Sequence, residues 1–367
     1  MMSEEAMTLS LSELEVAQDK RGREVQRLLL QANLDARGTG NVGPSIEVMR
    51  GGGCDETMER LPAQRIHTRK IHSLFGEVIA KRTAYGAPGA ESLHPLDEEI
   101  ALPERSYTQE MQRRAGIAAI RGPFDEGVDE LAATTGSPMK KLTAEQVVRE
   151  AATDFDAFYA QRQVPAGENT GPILVCAVDC KGIAMVKPEK ALQHRVVTKL
   201  PDLTLILDLP HAVEYVWRAA YCFHPEGSDD AKQWVKERTL RILRGEISQV
   251  VKGIRQSATK RGLRGPKKET IRLVTQYLYR NRHRMRYHQY LKDGIPIASG
   301  AVEGACKNLV KDRFERSGMR WTIPTAEGLL KLRAAYLSDD LDEYWKFHTK
   351  MEQTRLYPEG LWRPVEN

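Results

Sequence analysis

IPIASGAVEGACKNLVKDRFERSGMRW, residues Ile295 to Trp321, is the stretch around which the chain is organised. A short apolar run leads to Ser299 and Gly300, and the spacing that follows predicts a helix. On it Glu303, Lys307 and Val310 fall at intervals of four and three, while Ala305, Leu309 and Phe314 lie toward a packed side. Glu303 thus occupies the first turn, directly after a tight loop. There a carboxylate is favoured by the helix dipole, and it can also be held rigidly toward a cleft. Its company is basic: Lys307, Lys311, Arg313, Arg316 and Arg320, with Trp321 closing the stretch. One acid among so many cations suits a site that handles a polyanion, and equally a salt-bridged surface.

Basic character is strongest just upstream. From Lys236 to Lys292 seventeen lysines and arginines face Glu237, Glu246 and Glu269, a local excess of +14 in a chain of net charge +5, so the remainder nets −9. Such a division focuses positive potential on one region and favours nucleic acid over a small neutral ligand. A basic surface serving solubility alone is the plainer alternative. Within this region TKRGLRGPKK places Lys260, Arg261, Arg264, Lys267 and Lys268 around Gly262, Gly265 and Pro266. That composition predicts a loop displaying its cations, suited to phosphate contacts that position DNA without reading its sequence.

At 367 residues, 41% apolar and 29% charged, the chain has the composition of a soluble protein of two or three units. No apolar run approaches the length of a membrane span. The start, MMSEEAMTLSLSELE, is acidic and does not read as an export signal, so a cytoplasmic location is expected. Five scattered cysteines, Cys54, Cys176, Cys180, Cys222 and Cys306, fit a reducing compartment without a disulfide framework.

Residues 1–57 read as a flexible or partly helical leader, with a helix across Leu9 to Leu34 and a glycine-rich loop after it. Residues 58–165 read as a hairpin followed by a helical, helix-turn-helix-like DNA-binding region. The hairpin spans His67 to Gly89 and turns at Phe75-Gly76. His67 and His72 lack cysteine partners at zinc spacing and read as hairpin residues. Helices follow in TQEMQRRAGIAAIRG, in PFDEGVDELAATTG and after Lys140-Lys141, the last with a capping box from Thr143 and Gln146. Val164 to Pro172 is a linker.

Residues 173–211 change pattern. Ile173 to Val178 predicts a buried strand ended by Asp179, with a second strand at Ile183 to Val186. Leu203 to Leu207 predicts another buried strand, ended by Asp208, and His211 begins a long amphipathic helix. Residues 212–294 form the basic helical region, 295–350 the Glu303 helix and C-terminal helices, and 351–367 a tail. Asp179, Asp208 and Glu303 together would resemble a carboxylate set for Mg²⁺, in which paired ions act on a phosphodiester. Capping or turn roles explain either aspartate separately. No Gly-x-Ser-x-Gly elbow, His-Glu-x-x-His, Walker or Rossmann loop is present.

The chain resembles the Kra-type group of bacterial insertion-sequence transposases in FGEVIAKRTAYGAPGAESLHPLDEEIALP, DFDAFYAQRQVP, LILDLPHAVEYVWRAAYCFHPEG, IRQSATKRG, IASGAVEGACKNLVKDRFERSGMRW and LDEYWKFH, in order from about Met58 to His348. The resemblance implies an α/β, RNase H-like DDE catalytic domain with a large helical insertion, a mainly helical N-terminal DNA-binding region and Mg²⁺ or Mn²⁺ as cofactor. It implies DNA as partner, at transposon terminal inverted repeats, with association into a homo-oligomer and a nucleoid location. Asp179, in DCKG, matches the first catalytic acid and Glu303, in SGAVEGACK, the last, as metal ligands. The second acid of the family pattern falls six residues before Gln193, where this chain has Lys187, and the middle strands are missing. Asp208 belongs to a separate family pattern, Leu-Asp-x-x-His. Three expectations follow: a shortened transposase defective in strand transfer, a nonenzymatic DNA-binding regulator, or an active compact form using Asp208.

Overall fold

The computed structural model describes residues 8–50, 57–87, 91–162, 204–298, 306–316 and 319–365. Asp179, Glu303, Lys187, the linker and the strands expected at 173–186 lie outside them, as does the Ser299-Gly300 helix start. The chain divides into two compact units: Met1–Val164 with Gly182–Pro188 and Asn308–Asn367, and Pro165–Lys181 with Glu189–Lys307.

The first unit begins with α1 (Leu11–Ala36), whose Ser10 N-cap and Glu13 satisfy each other's backbone N–H groups in a capping box. An antiparallel sheet follows, with strands β1 (Ser45–Arg50), β2 (Thr57–Ser73), β3 (Gly76–Tyr85) and β4 (Trp362–Pro364) in the order β3-β2-β1-β4. β2 serves two partners in turn, pairing with β1 through Pro62 and with β3 from Ala63 onward. The register shifts between Ala63 and Ile66, just after Pro62, a residue with no N–H for the ladder. The hairpin pairs Ala63–Ser73 with Gly76–Tyr85 through a turn at Leu74-Phe75, so it begins four residues before the expected His67 and ends four before Gly89. β1 arises inside the expected leader and β4 inside the expected tail, and the two pair with each other.

Helices α2 (Pro95–Glu99), α3 (Gln109–Arg121), α4 (Phe124–Thr134), α5 (Lys141–Ala151) and α6 (Phe155–Gln161) complete the N-terminal part. The capping box expected from Thr143 and Gln146 does not form. α5 starts three residues earlier, with Lys140 at the N-cap and no side-chain cap. Gly136, in the turn before α5, donates its N–H to Leu74 O at 2.7 Å.

The second unit is helical in its described part: α7 (Leu209–Phe223), α8 (Asp229–Leu243), α9 (Ile247–Lys260), α10 (Gly265–Arg280) and α11 (Tyr287–Lys292). Each shows the 3.6-residue apolar period, and Val216, Ile242, Val250, Ile254, Val274 and Leu278 meet in one core. Ser228 caps α8 by accepting from Ala231 N at 3.2 Å. The strand expected at Leu203 to Leu207 is absent over its described part, as residues 204–208 belong to no strand. This segment is tied instead by Leu207 N to Arg284 O and by Leu209 N to Ile297 O, both 2.9 Å. Ile206 and Leu207 pack against the helical core. A short apolar run has the same composition in either setting.

The first unit closes with α12 (Ile323–Leu337) and α13 (Leu341–Leu356). Met111, Phe124, Val147, Leu329, Tyr344 and Trp345 join these helices to α3, α4 and α5 in a single core. Two buried arginines lock the arrangement. Arg313 Nε donates to Ala119 O at 2.7 Å and Arg333 Nη1 to Ile120 O at 2.6 Å, two cations on the C-terminal carbonyls of α3.

Candidate nucleic-acid interface

The α9–α10 connection presents the cations expected of it. Gly262 and Gly265 take φ of +63° and +56°, left-handed values that glycine adopts without a Cβ clash, and the chain reverses sharply between the helices. Lys260, Arg261, Arg264, Lys267 and Lys268 are all exposed. Arg261 is positioned: Nη1 donates to Phe223 O at 2.9 Å, and the guanidinium lies 5.4 Å from the Phe223 ring centroid. Lys260 sits in the last turn of α9, where a cation complements the helix dipole. Lys267 and Lys268 sit in the first turn of α10, where it does not. An anion placed beside them would relieve that opposition.

A second basic cluster lies at the other end of α10. Tyr279 is 44% exposed, and the Arg282 guanidinium rests 4.3 Å from its ring centroid, fixed by Nη1 donating to Tyr279 O at 2.8 Å. Arg280, Arg282, His283 and Arg286 are exposed around it. Between the clusters Arg272 and Leu273 are exposed, and Arg272 pairs with Glu269. Sixteen residues of α helix span about 24 Å, roughly the rise of seven base pairs of duplex. Among the described residues, three of the seventeen cations from Lys236 to Lys292 meet a carboxylate: Arg238 with Glu237, Arg241 with Glu246, and Arg272 with Glu269.

The cations of the 295–321 stretch divide. Lys307, Lys311, Arg316 and Arg320 are exposed, Arg316 being held to Asp312 at 3.4 Å. Arg313, expected on the same surface, is fully buried. It lies 4.9 Å from the Trp321 ring centroid and 5.5 Å from that of Phe124. Burial, then the charges of Arg333 and Arg316, pulls its pKa down to about 10. Arg313 is therefore part of the frame of the first unit and cannot contact a ligand at the surface. The neighbouring Phe314 is buried with it, the one signal in the sequence that this turn of chain faces inward.

The outward side of α5, the third helix of the expected helix-turn-helix, is charge-balanced. Lys141 pairs with Asp125 at 2.6 Å, and Glu150 pairs with Arg105. Gly328 of α12 packs on the Val148–Arg149 backbone of α5, covering another of its sides. The excess positive charge lies in the second unit.

Asp208 stands at the N-cap of α7 without a side-chain cap bond, and Oδ2 lies 3.9 Å from His211 Nδ1. Tyr287 donates to Leu207 O at 2.8 Å; burial, then the Asp208 charge, raises its phenol well above the ordinary value. Among the described residues no group of three His, Cys, Asp or Glu side chains is placed to hold a metal ion. The expected partners Asp179 and Glu303 lie outside the described residues, so no catalytic step is built on Asp208. No described helix is long and apolar enough to cross a membrane.

No family model matches the chain, and no solved structure matches it. The chain is similar to the UPF0236 protein in vanSb 3′ region of Streptococcus gallolyticus, with 25% identity over 131 residues. The match covers 35% of this chain and 28% of that relative.

Proposed function

We propose that the chain is a DNA-binding protein of insertion-sequence transposase descent, which holds duplex DNA by its phosphates along α10 and has little or no strand-transfer activity by itself. The observation that carries this reading is the pair of exposed basic clusters at the two ends of α10. Their separation matches a continuous run of backbone phosphates better than a compact ligand. Phosphate contacts of this kind give affinity and steep salt dependence, and sequence preference must come from elsewhere on the chain. A nucleoid location and a role in regulating or titrating transposition follow from the same reading.

The loss of strand transfer rests on Lys187, which stands where the resembling family has its second acid. Two carboxylates supply too few fixed oxygens for the Mg²⁺ or Mn²⁺ pair of an active member. The test has two arms. Purified protein is titrated against duplexes taken from the DNA at the two ends of its gene and against shuffled duplexes. It is then incubated with a supercoiled plasmid bearing those ends in Mg²⁺ and in Mn²⁺. Binding without nicking is the expected result. Nicking at the ends that is abolished by Asp179→Asn and by Glu303→Gln overturns the inactive reading. Its further loss in Asp208→Asn, with DNA binding intact, selects the compact active form.

A further inference from the structure

We propose that the outward face of α1 is the interface for a second copy of this chain, joined as an antiparallel two-helix seam. α1 is a 26-residue helix with no fully buried residue. It is held to the first unit by polar bonds from one side. Gln31 Oε1 accepts from Ile79 N at 2.8 Å and Gln31 Nε2 donates to Ile79 O at 2.9 Å. Arg27 Nη1 donates to Glu77 O at 3.4 Å, and Arg23 Nη1 to Thr135 O at 3.0 Å. Leu30 and Leu34 complete that side against Ile71, Val78 and Ala80.

The opposite side is apolar and open. Leu11 is 77% exposed, Val25 56%, Leu28 51% and Leu29 65%. Leu11, Leu14, Gln18, Arg21, Val25 and Leu28 repeat at alternating intervals of three and four, the a and d spacing of a coiled coil. Run antiparallel, this series is complementary to itself: Leu11 meets Leu28 of the second copy, Leu14 meets Val25, and Gln18 meets Arg21. Apolar layers then face apolar layers, and the two polar positions fall together at the two-fold axis.

Charge selects the same direction. From Leu11 to Asp19 the helix carries Glu13, Glu15 and Asp19, a net −3; from Lys20 to Leu28 it carries Lys20, Arg21, Arg23, Arg27 and Glu24, a net +3. Antiparallel pairing lays each acidic half beside a basic half. Parallel pairing would lay like on like and stack Arg21 on Arg21, which is unfavourable. An apolar stripe left open on the far side of a docked helix marks an interaction surface.

The full chain, without DNA, is examined by light scattering after size exclusion at tens of micromolar. A dimer mass is expected, and Val25→Glu with Leu28→Glu should give a monomer of unchanged circular dichroism that still melts cooperatively. A monomeric parent, or a double variant that stays dimeric, overturns the proposal. Orientation is read by cross-linking, with the natural cysteines as the common background. Leu14→Cys chains mixed with Val25→Cys chains should form a disulfide-linked dimer under oxidation, while neither variant does so by itself. Cross-linking by either variant by itself to the extent of the mixture would show parallel pairing and overturn the antiparallel seam.

Discussion

The N–H of Gly136 meets the carbonyl of Leu74 at 2.7 Å, so the tip of the β2–β3 hairpin rests on the turn between α4 and α5. There is no room for a side chain there: a Cβ on Gly136 would lie 2.2 Å from Phe75 O and 2.6 Å from Gly76 N. Both obstacles are backbone and cannot rotate away. Gly136→Ala should destabilise the first unit by about 1–3 kcal/mol, read as a lower midpoint in urea unfolding. An unchanged midpoint would show that the hairpin and helices are not packed in this way.

Arg313 gives the second expectation. Its side chain fills the space between Trp321 and Phe124 and bonds the end of α3, so Arg313→Ala should cost about 2–4 kcal/mol through the lost contacts and the bare Ala119 carbonyl. The salt dependence of DNA binding should not move. A stable variant with a reduced salt slope would put Arg313 at the DNA surface.

His94 gives a pH dependence of definite sign. Its Nε2 lies 3.1 Å from His67 Nδ1, and Arg82, paired with Asp97, and Arg69 stand close by. Burial, then the charges of Arg82, His67 and Arg69, lowers its pKa from 6.5 to about 4. The folded state therefore holds His94 neutral over a range in which the unfolded chain protonates it. Stability should be complete above about 6.5, fall as the pH drops toward about 4, and gain no further loss from this group below that. His94→Gln should flatten the profile over that interval. A profile identical to the parent's would assign the acid sensitivity to other groups.

The parts of the fold legible in the sequence are those set by neighbours along the chain. Alternation around Phe75-Gly76 announces the β2–β3 hairpin, the 3.6-residue period announces the helices of the second unit, and Gly262 with Gly265 announces the α9–α10 turn. The parts that are not legible depend on distant partners. β1 is six residues beside a glycine-rich stretch, and it becomes a strand by lying between β2 and a segment more than 300 residues away. Thr143 and Gln146 have capping-box spacing, but the helix begins earlier and turns them into interior positions. Arg313 reads as one more cation in a basic run. Its packing against α3 shows that it is inside, and the neighbouring Phe314 is the sequence's one sign of it.

The central claim is that exposed cations of the second unit hold duplex DNA by its phosphates. The direct measurement is the slope of log K against log salt for binding to an unrelated duplex, compared between the parent chain and Lys267→Ala with Lys268→Ala. Each phosphate contact contributes about 0.9 to the slope, so removing two should lower its magnitude by about 1.8. The weakening should be similar on unrelated sequences. A slope that does not change, with the variant folded and binding, would remove these lysines from the interface and contradict the account.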